Sequence, residues 1–152
     1  MIYLATPHSV TPYVQLLNHH ELEDLRIWRE QAAILTMTYY QALGENIYSP
    51  IAHNNQGDRW FKEFIAHSGT TEYEHYQRWD EHMIQLASEF WLLAVPGWQH
   101  SRGMLSELKH AKNLNKTSRI IRFPEPCIEL LGNSPYVFAI NQIPSLSGWT
   151  DA

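Results

Sequence analysis

The chain has 152 residues, 44% hydrophobic and 18% charged, with a formal net charge of −5. That length fits one domain with a real core, and the composition excludes a disordered chain, whose low hydrophobicity could not offset the entropy of ordering. The acidic balance argues against a nonspecific binder of nucleic-acid polymers, which needs a basic surface to release counterions.

In chain order, β and α patterns alternate. Ile2 to Ala5 is a short apolar strand closed by Thr6-Pro7; MIYLAT lacks a basic flank and reads as strand rather than signal peptide. Leu22, Leu25, Trp28, Ala32, Leu35, Tyr39 and Leu43 recur at steps of three and four, one face of a long helix for which Gly44 is the stop. Ile47 to Ile51 is the second expected strand, with Pro50 near its end, and Asn54, Asn55 and Gly57 mark a loop. Trp60 to Ile65 reads as a short helix and Ser68-Gly69-Thr70 as a break. Tyr73, Tyr76, Trp79, Met83 and Leu86 give a second helical stripe. Phe90 to Val95 is the third strand and Arg102 to Leu114 the next helix. Ser118 to Phe123 is a fourth strand and Tyr136 to Ile140 a candidate fifth, and the tail 143–152 is expected to be irregular. Strands separated by helices imply parallel crossovers, with helices on both faces of the sheet.

No apolar run approaches the ~20 residues that span a bilayer. The single cysteine, Cys127, has no partner for an internal disulfide, so a cytoplasmic setting and no membrane contact are expected.

The stretch from Leu92 to Leu114 carries the most chemistry. An apolar strand breaks at Pro96-Gly97, a polar turn follows, and Ser101, Gly103 and Glu107 fall in that turn and the first two turns of a helix. Strand, glycine-bearing loop and helix N-terminus place N–H groups and a positive dipole end at the carboxyl edge of a sheet, where small anions bind. Glu107 is placed to act on a ligand held there.

The pattern Pro96-Gly97-Trp98-x-x-Ser101-x-Gly103-x-x-x-Glu107 resembles the signature of the nucleoside 2-deoxyribosyltransferase superfamily, in particular a branch of small bacterial and phage proteins. The opening MIYLATPHS, Arg29 fifteen residues before Gly44, the segment IYSPIAH and the pair Trp79-Asp80 at the start of the helix before the third strand extend the resemblance over roughly residues 1 to 123. It implies a Rossmann-like (flavodoxin-like) three-layer α/β fold with about four or five parallel strands over one domain, 1–152. It further implies a homodimer or higher homo-oligomer, a nucleoside or nucleotide as ligand, and no cofactor.

By that resemblance Glu107 is the nucleophile that attacks the anomeric carbon, forming a glycosyl ester through an oxocarbenium-like transition state. Asp80 is then the second acidic group, orienting the nucleophile or handling the proton of the departing base. As residues alone, both are equally readable as solvated helix carboxylates. Ser101 is a natural helix N-cap, and it stands where transferases of free nucleosides carry an aspartate. A serine there is similar to the hydrolases of deoxynucleoside 5′-monophosphates, in which it helps hold the phosphate. Arg102 adds positive charge or is simply solvated, and Gly103 relaxes the helix start or lets a ligand approach the backbone. Thr6, His8 and Ser9 after the first strand, and Ser49 and His53 after the second, are loop residues at the same sheet edge, offered as base or sugar contacts. Tyr3 is either core or pocket lining. Trp98, beside Gly97, suits packing better than stacking on substrate.

Ser88, with Glu89 beside it, stands where many relatives carry an aspartate, and the segment Val10 to His20 before the first helix is long. The nine histidines form no HExxH or other dense ligand pattern, so no metal is expected. No Walker loop or GxGxxG is present. The expected activity is cleavage or transfer at the N-glycosidic bond of a deoxynucleoside or its 5′-monophosphate. The alternative is a noncatalytic nucleotide-binding or sensing module on the same fold; an enzyme directed at NAD or ADP-ribose is a more distant analogy.

Overall fold

The computed structural model describes residues 1–7, 19–54, 63–64, 68–95, 98–131 and 150–151. Its order is β1 (Ile2–Ala5), α1 (His19–Ala42), β2 (Ile47–Tyr48), α2 (Pro50–Asn54), α3 (Glu72–Leu86), β3 (Glu89–Leu93), a short 3₁₀ turn (Trp98–His100), α4 (Arg102–Asn113), β4 (Thr117–Ile121), α5 (Glu125–Leu131) and β5 (Thr150–Asp151). The strands form one sheet of order β2-β1-β3-β4-β5 with every pairing parallel. This is the Rossmann-like, flavodoxin-like α/β arrangement expected from the alternation. The chain runs from β1 outward to β2, then returns across β1 to β3, so the order reverses between β1 and β3. In open parallel sheets ligands bind beside such a reversal.

Successive strand residues point to opposite faces, and two cores result. Ile2 and Leu4 of β1 join Trp91, Leu93 and Ile121, and Trp28 and Ala32 of α1 and Cys127 of α5 cover them. Tyr3 and Ala5 point the other way with Phe90, Leu92 and Ile120, beneath Ile84 of α3 and Met104, Leu108 and Ala111 of α4. Arg29 of α1 lies inside, with 1% of its surface exposed.

Local chemistry sets the ends. Gly44 takes φ +93° after α1, the left-handed conformation that glycine adopts without penalty. Thr71 caps α3 in a reciprocal box: its Oγ1 accepts from the Glu74 N–H at 3.2 Å, and Glu74 accepts from the Thr71 N–H at 3.1 Å. The break expected at Ser68-Gly69-Thr70 is a turn, with Gly69 at φ +74°.

Several expectations are corrected. The second strand stops at Tyr48, because Pro50 opens a helix rather than ending a strand; proline suits the first helical position, where its missing N–H costs nothing. The pair Trp79-Asp80 lies in the middle of α3, not at its start. Of the stripe on α3, Tyr73, Trp79 and Leu86 are exposed, while Met83 packs against the core beside the buried Ile84. The tail is not irregular throughout, since Thr150 and Asp151 pair with Arg119 and Ile120. The strand expected at 136–140 and most of the helix expected at 60–65 lie outside the described residues. No helix among the described residues is long and apolar enough to cross a membrane.

Candidate functional site

Tyr3 of β1 points into the α3/α4 side of the sheet, completely buried. Its ring stacks on Phe90 at 5.6 Å and tilts against Tyr48 at 5.9 Å. Its hydroxyl donates to Glu107 Oε1 at 3.1 Å. Tyr3 is thus core by its ring and site by its hydroxyl. Glu107 comes from the second turn of α4, and Asp80 arrives from the middle of α3, its carboxyl close enough to that of Glu107 for the two to titrate together. Three elements around the reversal between β1 and β3 therefore meet at two carboxyls and a phenol.

The electrostatics follow from enclosure. Burial, reinforced by the nearby Asp80 charge, pushes Glu107 up to about 8, and the Tyr3 hydrogen bond pulls partly back. Burial likewise raises Asp80 to about 7, against the hydrogen bonds from Glu107 and Tyr3. Burial drives the Tyr3 phenol well above its ordinary range, with the Glu107 and Asp80 charges adding to it. The result is a carboxyl pair that retains a proton near neutrality. Two neighbouring carboxylates shielded from water do not both ionise cheaply.

The pair opens into a cleft between α3 and α4 of about 440 Å³, mouth included. Tyr73, Tyr76, Gln77, Asp80 and Glu81 line one wall; Gly103, Ser106, Glu107 and His110 line the other. Gln77 donates to Glu81 at 3.2 Å, fixing one edge. A Cβ added at Gly103 would meet nothing within 4 Å, so the helix backbone is open to whatever occupies the cleft. Beside the cleft, Trp79 Nε1 donates to the Tyr48 hydroxyl at 2.9 Å, and His53 lies parallel to Trp79 at 6.4 Å. Burial lifts Tyr48 to about 12, although the Trp79 hydrogen bond opposes the rise.

The remaining expected residues divide. Ser101 is buried and caps α4, its Oγ accepting from the Met104 N–H at 3.3 Å; its hydroxyl proton is still available to donate. Arg102 is exposed. Trp98 is fully buried in the core with Tyr3 and Phe90, which is a packing position. Ser49 is buried and accepts from the Ala52 N–H at 3.3 Å, which makes it a cap of α2. His53 is exposed and joins the aromatic group through Tyr48 and Trp79. Thr6 is buried just past β1, its hydroxyl without a hydrogen bond among the described residues. His8, Ser9 and Gly97 lie outside the described residues. Tyr48, Tyr76, Gln77, Glu81, Ser106 and His110 were not anticipated. Helical spacing could have found most of them, since Tyr76 and Gln77 lie one turn before Asp80 and His110 one turn after Glu107.

No group of three or more His, Cys, Asp or Glu among the described residues is arranged to hold a metal ion. No family model matches the chain, and no curated protein is significantly similar to it.

Proposed function

We propose that the protein cleaves, or transfers across, the N-glycosidic bond of a deoxynucleoside or deoxynucleoside 5′-monophosphate, with Glu107 as nucleophile and no cofactor. The observation that carries this reading is the buried pair of Asp80 and Glu107 with the Tyr3 hydroxyl donating to Glu107. A carboxylate suits an oxocarbenium-like centre, because it stabilises developing positive charge and then closes on it as an ester. Attack requires the pair's proton to sit on Asp80 and the charge on Glu107. The Tyr3 O–H hydrogen bond favours the charged form of Glu107.

Sugar and base would occupy the cleft between the tyrosines of α3 and the α4 wall that runs from Gly103 past Glu107 to His110. An attached phosphate would lie toward the start of α4, where Ser101 and the first N–H groups offer neutral donors in a positive dipole field. Water as acceptor gives hydrolysis; a second base gives transfer.

One observation favours a noncatalytic nucleotide-binding module instead. In the unliganded protein burial raises Glu107 into the neutral range, and a carboxyl that keeps its proton hydrogen-bonds rather than attacks. Chromatographic assay of base release from a panel of deoxynucleosides and their 5′-monophosphates separates the readings. Release that depends on Glu107 supports the enzyme, whereas tight binding without release supports the module.

A further inference from the structure

His110 lines the same wall of the cleft as Glu107, one helical turn further along α4. Resting on the N-glycosidic reading above, we infer that His110 is the proton donor to the departing base, a catalytic role separate from the carboxyl pair. Residues three apart on a helix share a face, so a ligand reaching Glu107 also passes His110. Other residues along the cleft are poorer donors. Gln77 carries an amide with no transferable proton and is tied to Glu81, and Ser106 is an alcohol. Asp80 titrates together with the adjacent Glu107 and shares a proton with it. Were Asp80 to release the shared proton to the base while Glu107 became an ester, a carboxylate would stay buried without its partner, an expensive arrangement. His110 is partly exposed, and imidazole is the side chain that most often serves as a general acid or base.

The step balances. A Glu107 carboxylate oxygen bonds to the anomeric carbon as the carbon–nitrogen bond breaks. The electron pair of that bond passes to the base nitrogen, or through the ring to a conjugated one, which takes the proton of the His110 imidazolium. Asp80 keeps the shared proton, so the cleft floor becomes neutral. In the second half neutral His110 takes a proton from water as the water oxygen attacks the anomeric carbon and releases the Glu107 carboxylate.

The test compares the best ordinary deoxynucleoside substrate with 7-methyl-2′-deoxyguanosine, whose cationic base leaves without needing a proton. His110→Ala should slow base release from the ordinary substrate by about 100-fold or more, the usual scale of general acid catalysis, and slow release of 7-methylguanine far less. Added imidazole should restore part of the loss. Equal losses on both substrates, or an undiminished rate on the ordinary one, would overturn the His110 assignment while leaving Glu107 as nucleophile. A wild-type protein that releases no base from either substrate would overturn the N-glycosidic reading and this inference together.

Discussion

Asp80 meets Glu107 carboxyl to carboxyl across neighbouring helices, and the Tyr3 hydroxyl holds Glu107 from the sheet beneath. Neither carboxylate is a solvated surface charge. Enclosure raises both, and that shared elevation makes the site testable through stability as well as through turnover.

Replacing Glu107 by Gln should therefore act in opposite directions on activity and stability. The amide keeps the shape and the hydrogen-bonding partners but cannot form the glycosyl ester. Base release should fall on the order of 10³-fold or more, and a glycosyl adduct should be detectable by intact mass after rapid quenching in wild type only. A glutamine variant with near-normal turnover would exclude Glu107 as nucleophile.

The stability effect has a defined sign. The folded pKa of Glu107 is raised from 4.5 to about 8. In the unfolded chain the group ionises near its ordinary value, so the wild type loses stability as pH climbs from about 4.5 through about 8. Glu107→Gln has no such loss. The variant should match wild type near pH 4 and exceed it above pH 8, by on the order of 1–3 kcal/mol. Urea denaturation at both pH values measures this; a constant difference across the range would mean that Glu107 is not desolvated.

Tyr3→Phe isolates the hydroxyl. The ring keeps its packing on Phe90 and Tyr48, but Glu107 loses its donor. Because that hydrogen bond favours the carboxylate, its removal should raise the ionisation of the pair further. In wild type the acidic limb of kcat/KM should lie near pH 7, where the first member of the pair ionises; in Tyr3→Phe it should move to higher pH. A limb unchanged in position, with only its height reduced, would assign Tyr3 a packing role.

Much of this framework was legible in the sequence, and the failures have physical causes. Alternating apolar strands and amphipathic helices define the parallel sheet, and Gly44 and Ser101 mark helix boundaries by backbone chemistry that belongs to the residue itself. Pro50 was ambiguous because proline is tolerated both at a strand end and at the first helical position. The spacing Thr71-x-x-Glu74 is a capping box readable from sequence, yet it was overlooked. The exposure of Tyr73, Trp79 and Leu86 could not be read, because periodicity defines a face without saying what covers it. Nor could the meeting of Asp80 with Glu107, which depends on two helices separated by a whole strand in the chain.

The exposed apolar residues of α3 bear on assembly. Trp79 and Leu86 lie seven residues apart on one face, and Leu86 is 62% exposed. Aromatic and aliphatic groups left open in this way are the material of subunit interfaces, and a homodimer about this face is the expected state. Leu86→Glu should cost the fold little, since the site is exposed, and should shift dimer to monomer by light scattering. A wild-type protein that is monomeric and fully active at micromolar concentration would rule this out.

On the proposed reading, Ser101 is the residue at which a free nucleoside and its 5′-monophosphate would be told apart. The side chain spends one lone pair on the Met104 N–H, and Asp or Asn can take over that capping bond with little loss of helix stability. The two replacements differ in charge. Ser101→Asp places a negative group where a phosphate would approach, while Ser101→Asn keeps a neutral donor of similar size. A charge-assisted hydrogen bond is worth roughly 1.5–3 kcal/mol, about tenfold or more in affinity. Wild type should therefore bind a deoxynucleoside 5′-monophosphate at least tenfold more tightly than the matching nucleoside, with roughly the converted value of one such bond as the margin. Ser101→Asn should retain part of that preference and Ser101→Asp should erase or reverse it, in paired calorimetric titrations with both ligands. Equal affinities of wild type for the two ligands would show that no phosphate is held at the start of α4. The acidic cleft of Asp80, Glu81 and Glu107 would then be a site for uncharged nucleosides.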